Sequence, residues 1–338
     1  YSIVALRVQY CCLVAEMLRH TRRCFQMSSI QRAALSSVKD IKRVGVVGLG
    51  LMGHGVAQVT AQAGYNVVAI ESNASALTTG EKRIESSLQK MIAKDVKKQK
   101  ITEEEGKTQF AEVMSRIELS TTLDAARDCD LVIEAIVENM DVKLDFYKDL
   151  AGRVKPEAIF ASNTSSLSIT GMALASGRPH NFVGVHFFNP VQMMRLVEVI
   201  KTEHTSPEVF DMVRDYVSRI NKVSVACGDT PGFIVNRLLV PYMAQAIAML
   251  DRGDATAKDI DISMQLGSGH PMGPITLADY VGLDTCLNIL EGWVKDYPNE
   301  PAFFIPNNLR EKVAKGEFGR KSGKGFYHWD GDKVGNPV

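Results

Sequence analysis

The chain has 338 residues, 45% of them hydrophobic and 23% charged, a composition suited to a folded protein of about two domains. Its 39 Lys and Arg balance its 39 Asp and Glu, so no net field draws it to nucleic acid or an anionic membrane, and any anionic ligand must be held by local groups. Six cysteines without a C-x-x-C pair suggest neither a metal site nor a disulfide framework, and no apolar run approaches the ~20 residues of a membrane helix.

Residues 1–43 hold Arg7, Arg19, Arg22, Arg23, Arg32, Lys39, Lys42 and Arg43 against only Glu16 and Asp40. An Arg-rich, acid-poor start of this kind reads as a mitochondrial transit segment, or else as a tail preceding a start at Met17 or Met27. Residues 1–39 are set apart from the fold on either reading.

From residue 40 onward, short β-branched runs alternate with helical segments. This is the pattern of a doubly wound α/β fold, a mostly parallel sheet with helices on both faces. Strands are expected at 43–48, 66–71, 116–119, 131–135, 158–162, 182–186, 196–200 and 222–226. Helices are expected at 51–63, 74–98, 142–154 and 207–220. The turn formers at 227–232 place a boundary near residue 228, giving a Rossmann-type domain over 40–228 and a smaller all-α domain over 229–338. In the latter Ile234, Leu238, Tyr242, Ala246 and Leu250 recur every four residues, predicting a long helix with one apolar face that ends near Gly253. Further helices are expected at 256–266, 275–297 with a break, and 301–315. So many apolar stripes in so small a domain call for a packing partner, of which a second copy is the simplest.

Residues 44–55 read V-G-V-V-G-L-G-L-M-G-H-G, a G-x-G-x-x-G pattern that leaves a strand and opens a helix. Gly48 permits the tight turn, Gly50 lets the backbone approach a pyrophosphate, and Gly53 brings helix and strand together. Leu49, Leu51 and Met52 complete the loop, and the helix N-terminus offers N–H groups to phosphate. The next strand ends in Glu71, whose carboxylate suits a ribose diol and repels a 2′-phosphate, which favours NAD over NADP. The alternative for Glu71 is a solvated acid at a strand end.

Three further segments carry polar groups where strands end. Residues 161–167 read A-S-N-T-S-S-L, in which Ser165 or Ser166 either faces a ligand or caps a following helix. Residues 183–190 read V-G-V-H-F-F-N-P, with His186 ending an apolar strand. Twelve residues on, Glu198 lies inside L-V-E-V-I, where an acid is costly without a partner. If the two strands are neighbours, Glu198 accepts a hydrogen bond from one ring nitrogen of His186 and leaves the other free for proton transfer. The helix after 229–234 opens with Asn236, an amide placed either to polarise a substrate oxygen or to pack.

In this order the motifs resemble the L-3-hydroxyacyl-CoA dehydrogenase family. They are G-L-G-L-M-G, S-N-T-S-S-L, H-F-F-N-P, L-V-E-V-I, D-T-P-G-F-I-V-N-R, G-H-P-M-G-P-I-T-L-A-D-Y-V-G-L-D and G-R-K-S-G-K-G-F-Y, and they run from about residue 42 to 329. The resemblance implies reversible NAD-dependent oxidation of (S)-3-hydroxyacyl-CoA to 3-oxoacyl-CoA, a step of fatty-acid β-oxidation, by a mitochondrial homodimer joined through its helical domain. It implies His186 as acid/base, Glu198 as its partner, and Ser165 and Asn236 as catalytic and substrate contacts. Glu138, Lys143, Ser165 and Asn189 join the glycine loop and Glu71 as NAD contacts, and Ser87 and Lys94 on the long basic helix contact acyl-CoA. No metal is implied. Two other readings remain open: a dehydrogenase of free β-hydroxy acids, for which no G-x-x-G-x-G-x-x-x-x-x-K helix is found, and a crystallin-like nucleotide-binding structural protein.

Overall fold

The computed structural model describes residues 40–338, and the transit-segment expectation lies outside them. Eight strands form one sheet in the order β3-β2-β1-β4-β5-β6-β7-β8. These are β1 (Arg43–Val47), β2 (Asn66–Ile70), β3 (Ile117–Ser120), β4 (Leu131–Glu134), β5 (Ile159–Ser162), β6 (Phe182–Phe187), β7 (Leu196–Lys201) and β8 (Val223–Gly228). Every neighbouring pair is parallel except β6 and β7. The helices between them are α1 (Gly53–Gln62), α2 (Ala74–Lys97), α3 (Glu103–Ser115), α4 (Met140–Ala151), α5 (Ile169–Ala175) and α6 (Pro207–Arg219). The central strands are apolar and buried on both faces, as a sheet covered by crossover helices requires. Strand order reverses beside β1, and ligands of such sheets bind at strand C-termini there.

One helix in this half, α3, was not anticipated, and another, α5, starts later than its candidate caps suggest. Helix α3 starts at a capping box in which Thr102 and Glu105 satisfy each other's backbone N–H. Helix α5 is capped by Ser168 rather than Ser165 or Ser166, and its first N–H groups, on Ile169 and Thr170, donate to Asp229.

The second half is helical, with α7 (Val235–Arg252), α8 (Ala257–Ser268), α9 (Pro274–Val281), α10 (Leu283–Asp296) and α11 (Asn307–Ala314), followed by a hairpin of β9 (Tyr327–Asp330) and β10 (Lys333–Pro337). Two buried aspartates tie it together. Asp261 accepts from Ile275 N, Thr276 N and the Tyr327 hydroxyl. Asp279 accepts from Phe326 N, Tyr327 N and Trp329 Nε1. The Asp279 bonds account for the first acid of the 269–284 motif and for the closing G-F-Y, while the second acid, Asp284, pairs with Lys321.

The apolar face expected on α7 needs correcting. Val240, Met243, Ala244, Ala246 and Ile247 are the residues buried in the helical core, whereas Ile234 and Leu238 are exposed. A helix turns every 3.6 residues, so a strict spacing of four drifts around its surface. Of the helix's two ends, the first lies against the sheet and the later turns enter the helical core. Among the described residues, no helix is long and apolar enough to cross a membrane.

Candidate active site

The glycine loop is built so that two of its glycines are obligatory for packing and one is left open. Gly48 has φ +91°, and a Cβ there would lie 2.5 Å from the Ala135 carbonyl oxygen. A Cβ on Gly53 would fall 1.7 Å from Gly48 O. A Cβ on Gly50, in contrast, meets nothing within 4 Å. Met52, the residue before α1, supplies no side-chain cap, so the helix presents its N-terminal backbone and dipole to that open space. An extended anion fits this cradle, and a side chain at Gly50 would occupy it. Glu71 stands beside the loop, with Oε2 accepting from Leu49 N at 2.8 Å and Oε1 from Ser72 N at 2.8 Å.

Gly50, Leu51, Met52, Glu138, His186 and Asn189 border one cavity of about 530 Å³, and Ser165, Asn163 and Asn236 line it too. Here β6 and β7 run antiparallel and place His186 directly opposite Glu198, a register that turns both side chains to one face. His186 Nδ1 lies 2.7 Å from Glu198 Oε2, with Glu198 fully buried and the ring nearly so. The other oxygen, Oε1, accepts from Ile234 N at 3.0 Å and Val235 N at 2.8 Å, the first turn of α7. Burial pushes this carboxyl up, but the bonds from His186, Val235 and Ile234 outweigh it and hold the group below the usual carboxylate range. With Nδ1 engaged, Nε2 is the ring nitrogen left for chemistry.

Asn236 sits one residue into α7, its Nδ2 3.4 Å from Ser165 O, so the β5–α5 loop and the helical domain meet over the cavity. Ser165 is gripped by Glu138, which accepts from its N–H at 2.8 Å and its hydroxyl at 3.1 Å, and from Thr164 Oγ1 at 2.6 Å. Lys143 reaches the cavity only through Glu138. Its ammonium is fully buried, 3.0 Å from Glu138 and 2.7 Å from Glu134. Despite burial, Lys143 and the bonds from Thr164 and Ser165 hold the Glu138 carboxyl below its ordinary value.

Glu134 was not foreseen as part of this site. It is fully buried and accepts from Lys143, Ser162 Oγ at 2.7 Å, Ile136 N at 2.8 Å and the Tyr147 hydroxyl at 3.3 Å, joining the ends of β4 and β5 to α4. Its signal was an acid closing the apolar run L-V-I-E, the same clue that exposed Glu198. Asn163, inside S-N-T-S-S-L, has a role that the motif does not reveal: its Oδ1 accepts from Phe187 N at 2.9 Å and steadies the strand end that bears His186. Ser87 lines a different cleft on the far side of the 188–194 loop, and Lys94, further along α2, borders neither space.

A doubly wound sheet with a glycine loop, an acid after its second strand and a carboxylate-oriented histidine across the cleft defines an NAD-dependent oxidoreductase. The family described as 3-hydroxyacyl-CoA dehydrogenase, NAD binding domain, matches residues 43–230, and its C-terminal domain matches residues 232–329. The mitochondrial hydroxyacyl-coenzyme A dehydrogenase of Rattus norvegicus is 47% identical over 293 residues, 86% of this chain and 91% of that protein. A probable 3-hydroxyacyl-CoA dehydrogenase of Caenorhabditis elegans is 45% identical over 87% of this chain and 94% of its own length. The crystal structure of (S)-3-hydroxybutyryl-CoA dehydrogenase from Ralstonia eutropha superposes with a TM-score of 0.80 at 40% identity, covering 86% of this chain and all of that one. The chain belongs to the 3-hydroxyacyl-CoA dehydrogenase family.

Proposed function

We propose that the protein interconverts (S)-3-hydroxyacyl-CoA and 3-oxoacyl-CoA in fatty-acid β-oxidation. The observation that carries this reading is the His186–Glu198 pair, set in one cavity with Gly50, Leu51 and Met52 of the dinucleotide loop. Bound NAD supplies the hydride acceptor.

In the oxidative direction His186 Nε2 takes the hydroxyl proton, and Glu198 stabilises the imidazolium without moving. Acid/base assistance of this kind is worth about 10² to 10⁴ in rate. Ser165 and Asn236 hold the reacting oxygen so that the C3 hydrogen would face the nicotinamide ring, a positioning effect. Glu138, Glu71, Asn189 and the loop N–H groups hold the cofactor, with Lys143 setting the position of Glu138. Ser87 and the cations around it take the phosphorylated handle of the thioester.

Initial rates with NADH and C4, C10 and C16 3-oxoacyl-CoA, beside free 3-oxo acids, test the reading. Turnover confined to the thioesters supports it, and equal rates with free acids would overturn it.

Two finer readings go with it. A second copy covers the apolar residues left exposed on the helical domain, Ile234 and Leu238 on α7 and Ile262 and Leu266 on α8; light scattering that reports a monomer overturns this. The matrix of the mitochondrion is the site of action, supported by the basic, acid-poor start of the chain and by the mitochondrial name of the rat relative. Residues 1–43 fused to a fluorescent reporter should carry it into the organelle.

A further inference from the structure

The cavity at His186 and a second cleft share one loop. Phe188 and Asn189 border the first, and Pro190, Gln192 and Met193 border the second. The second cleft, of about 730 Å³, is lined by His54, Lys82, Arg83, Lys90 and Ser87, with no carboxylate among its lining residues. Under the acyl-CoA reading, on which this inference rests, it receives the phosphates of the thioester handle.

Two of these side chains differ from the rest because they also touch the dinucleotide loop. His54 Nδ1 lies 2.7 Å from Gly50 O, and Arg83 Nη1 lies 3.5 Å from Leu49 O. Helix α2 rests directly on the same loop: a Cβ on Gly80 would come 2.4 Å from Leu49 Cβ. The carbonyl of Gly50 and the N–H of Leu51 belong to one planar peptide and point in opposite directions. Fixing that carbonyl towards His54 therefore aims the Leu51 N–H away from the second cleft. Gly50 and Leu51 both border the His186 cavity.

We propose that His54 couples the two ligand sites. With Nδ1–H donated to Gly50, Nε2 is the ring atom left for a ligand in the cleft, and a bound anion favours its protonated, donating form. The other titratable groups lining the cleft are Lys82, Arg83 and Lys90, all cationic. An anion held among them fixes the ring and strengthens a charge-assisted bond to the Gly50 carbonyl, which polarises the Gly50–Leu51 peptide for the dinucleotide. Occupancy of the cleft therefore tightens NAD binding, and by linkage NAD tightens binding in the cleft by the same factor.

Calorimetric titration of NAD into the full chain, without and with saturating coenzyme A, reads that factor directly. The expected tightening in the wild type is about fivefold, at the lower end of ordinary couplings. His54→Ala and His54→Leu should still bind coenzyme A but bring the factor close to one. Lys90→Ala, in the same cleft without contact to the loop, should weaken coenzyme A binding yet keep the factor at saturation. No tightening in the wild type, or the full factor in both His54 variants, overturns the coupling while leaving the acyl-CoA reading intact. Coenzyme A binding that Lys90→Ala and Lys82→Ala leave unchanged would instead remove the handle from this cleft, and the coupling with it.

Discussion

Glu198 holds two partners at once: Oε2 takes the Nδ1–H of His186 at 2.7 Å and Oε1 takes the first N–H groups of α7. One buried carboxylate thus orients the imidazole and anchors the helix that carries Asn236. The acid needed beside the histidine also satisfies the helix N-terminus, where Ile234 offers no side-chain cap.

Replacing Glu198 should therefore affect rate and stability together. Glu198→Gln is expected to lower kcat strongly with little change in KM, because it removes stabilisation of a charge formed only during reaction. Glu198→Ala should in addition cost about 1 to 3 kcal/mol, since it strands buried donors, measurable by urea unfolding.

The pH dependence has a definite sign. The Glu198 carboxyl is depressed in the folded state, so its contribution is fully present above the unfolded carboxylate value and is lost as pH falls through the lower folded one. Below about pH 4 the stability gap between wild type and Glu198→Gln should narrow as pH falls. A gap that instead widens in acid would contradict this.

His186→Gln should abolish most turnover, about 10² to 10⁴-fold, while NAD still binds, because the glycine loop follows a different strand. Calorimetry with NAD distinguishes this from a structural role, in which both would be lost.

Two glycine variants should separate packing from binding. Gly53→Ala places a methyl 1.7 Å from Gly48 O, where only backbone movement relieves it, and should lower stability by about 1 to 3 kcal/mol. Gly50→Ala meets no protein atom, so its melting temperature should hold while NAD affinity falls about tenfold or more.

Lys143→Met leaves Glu134 buried without its cation and should cost about 3 to 5 kcal/mol. Adding Glu134→Leu should recover part of that loss, as chemical denaturation of single and double variants will show.

Local chemistry made much of this legible before any coordinates. The glycine spacing after a β-branched run and Glu71 at the end of the next strand are each short-range patterns with short-range causes. Glu198 betrayed itself because an acid inside an apolar strand requires a partner. Such patterns leave tertiary neighbours unspecified. Only the folded chain showed that β6 and β7 are antiparallel with His186 and Glu198 in register, since pairing depends on how the 188–195 connection returns the chain. Glu134 escaped notice because its four donors come from two separate elements, α4 and β5, and the loop after β4. The buried face of α7 was misjudged because sequence periodicity reports where apolar residues lie but not which neighbour covers them; that depends on the packing of α9 and α11 against it and on β7, at whose Glu198 the helix begins.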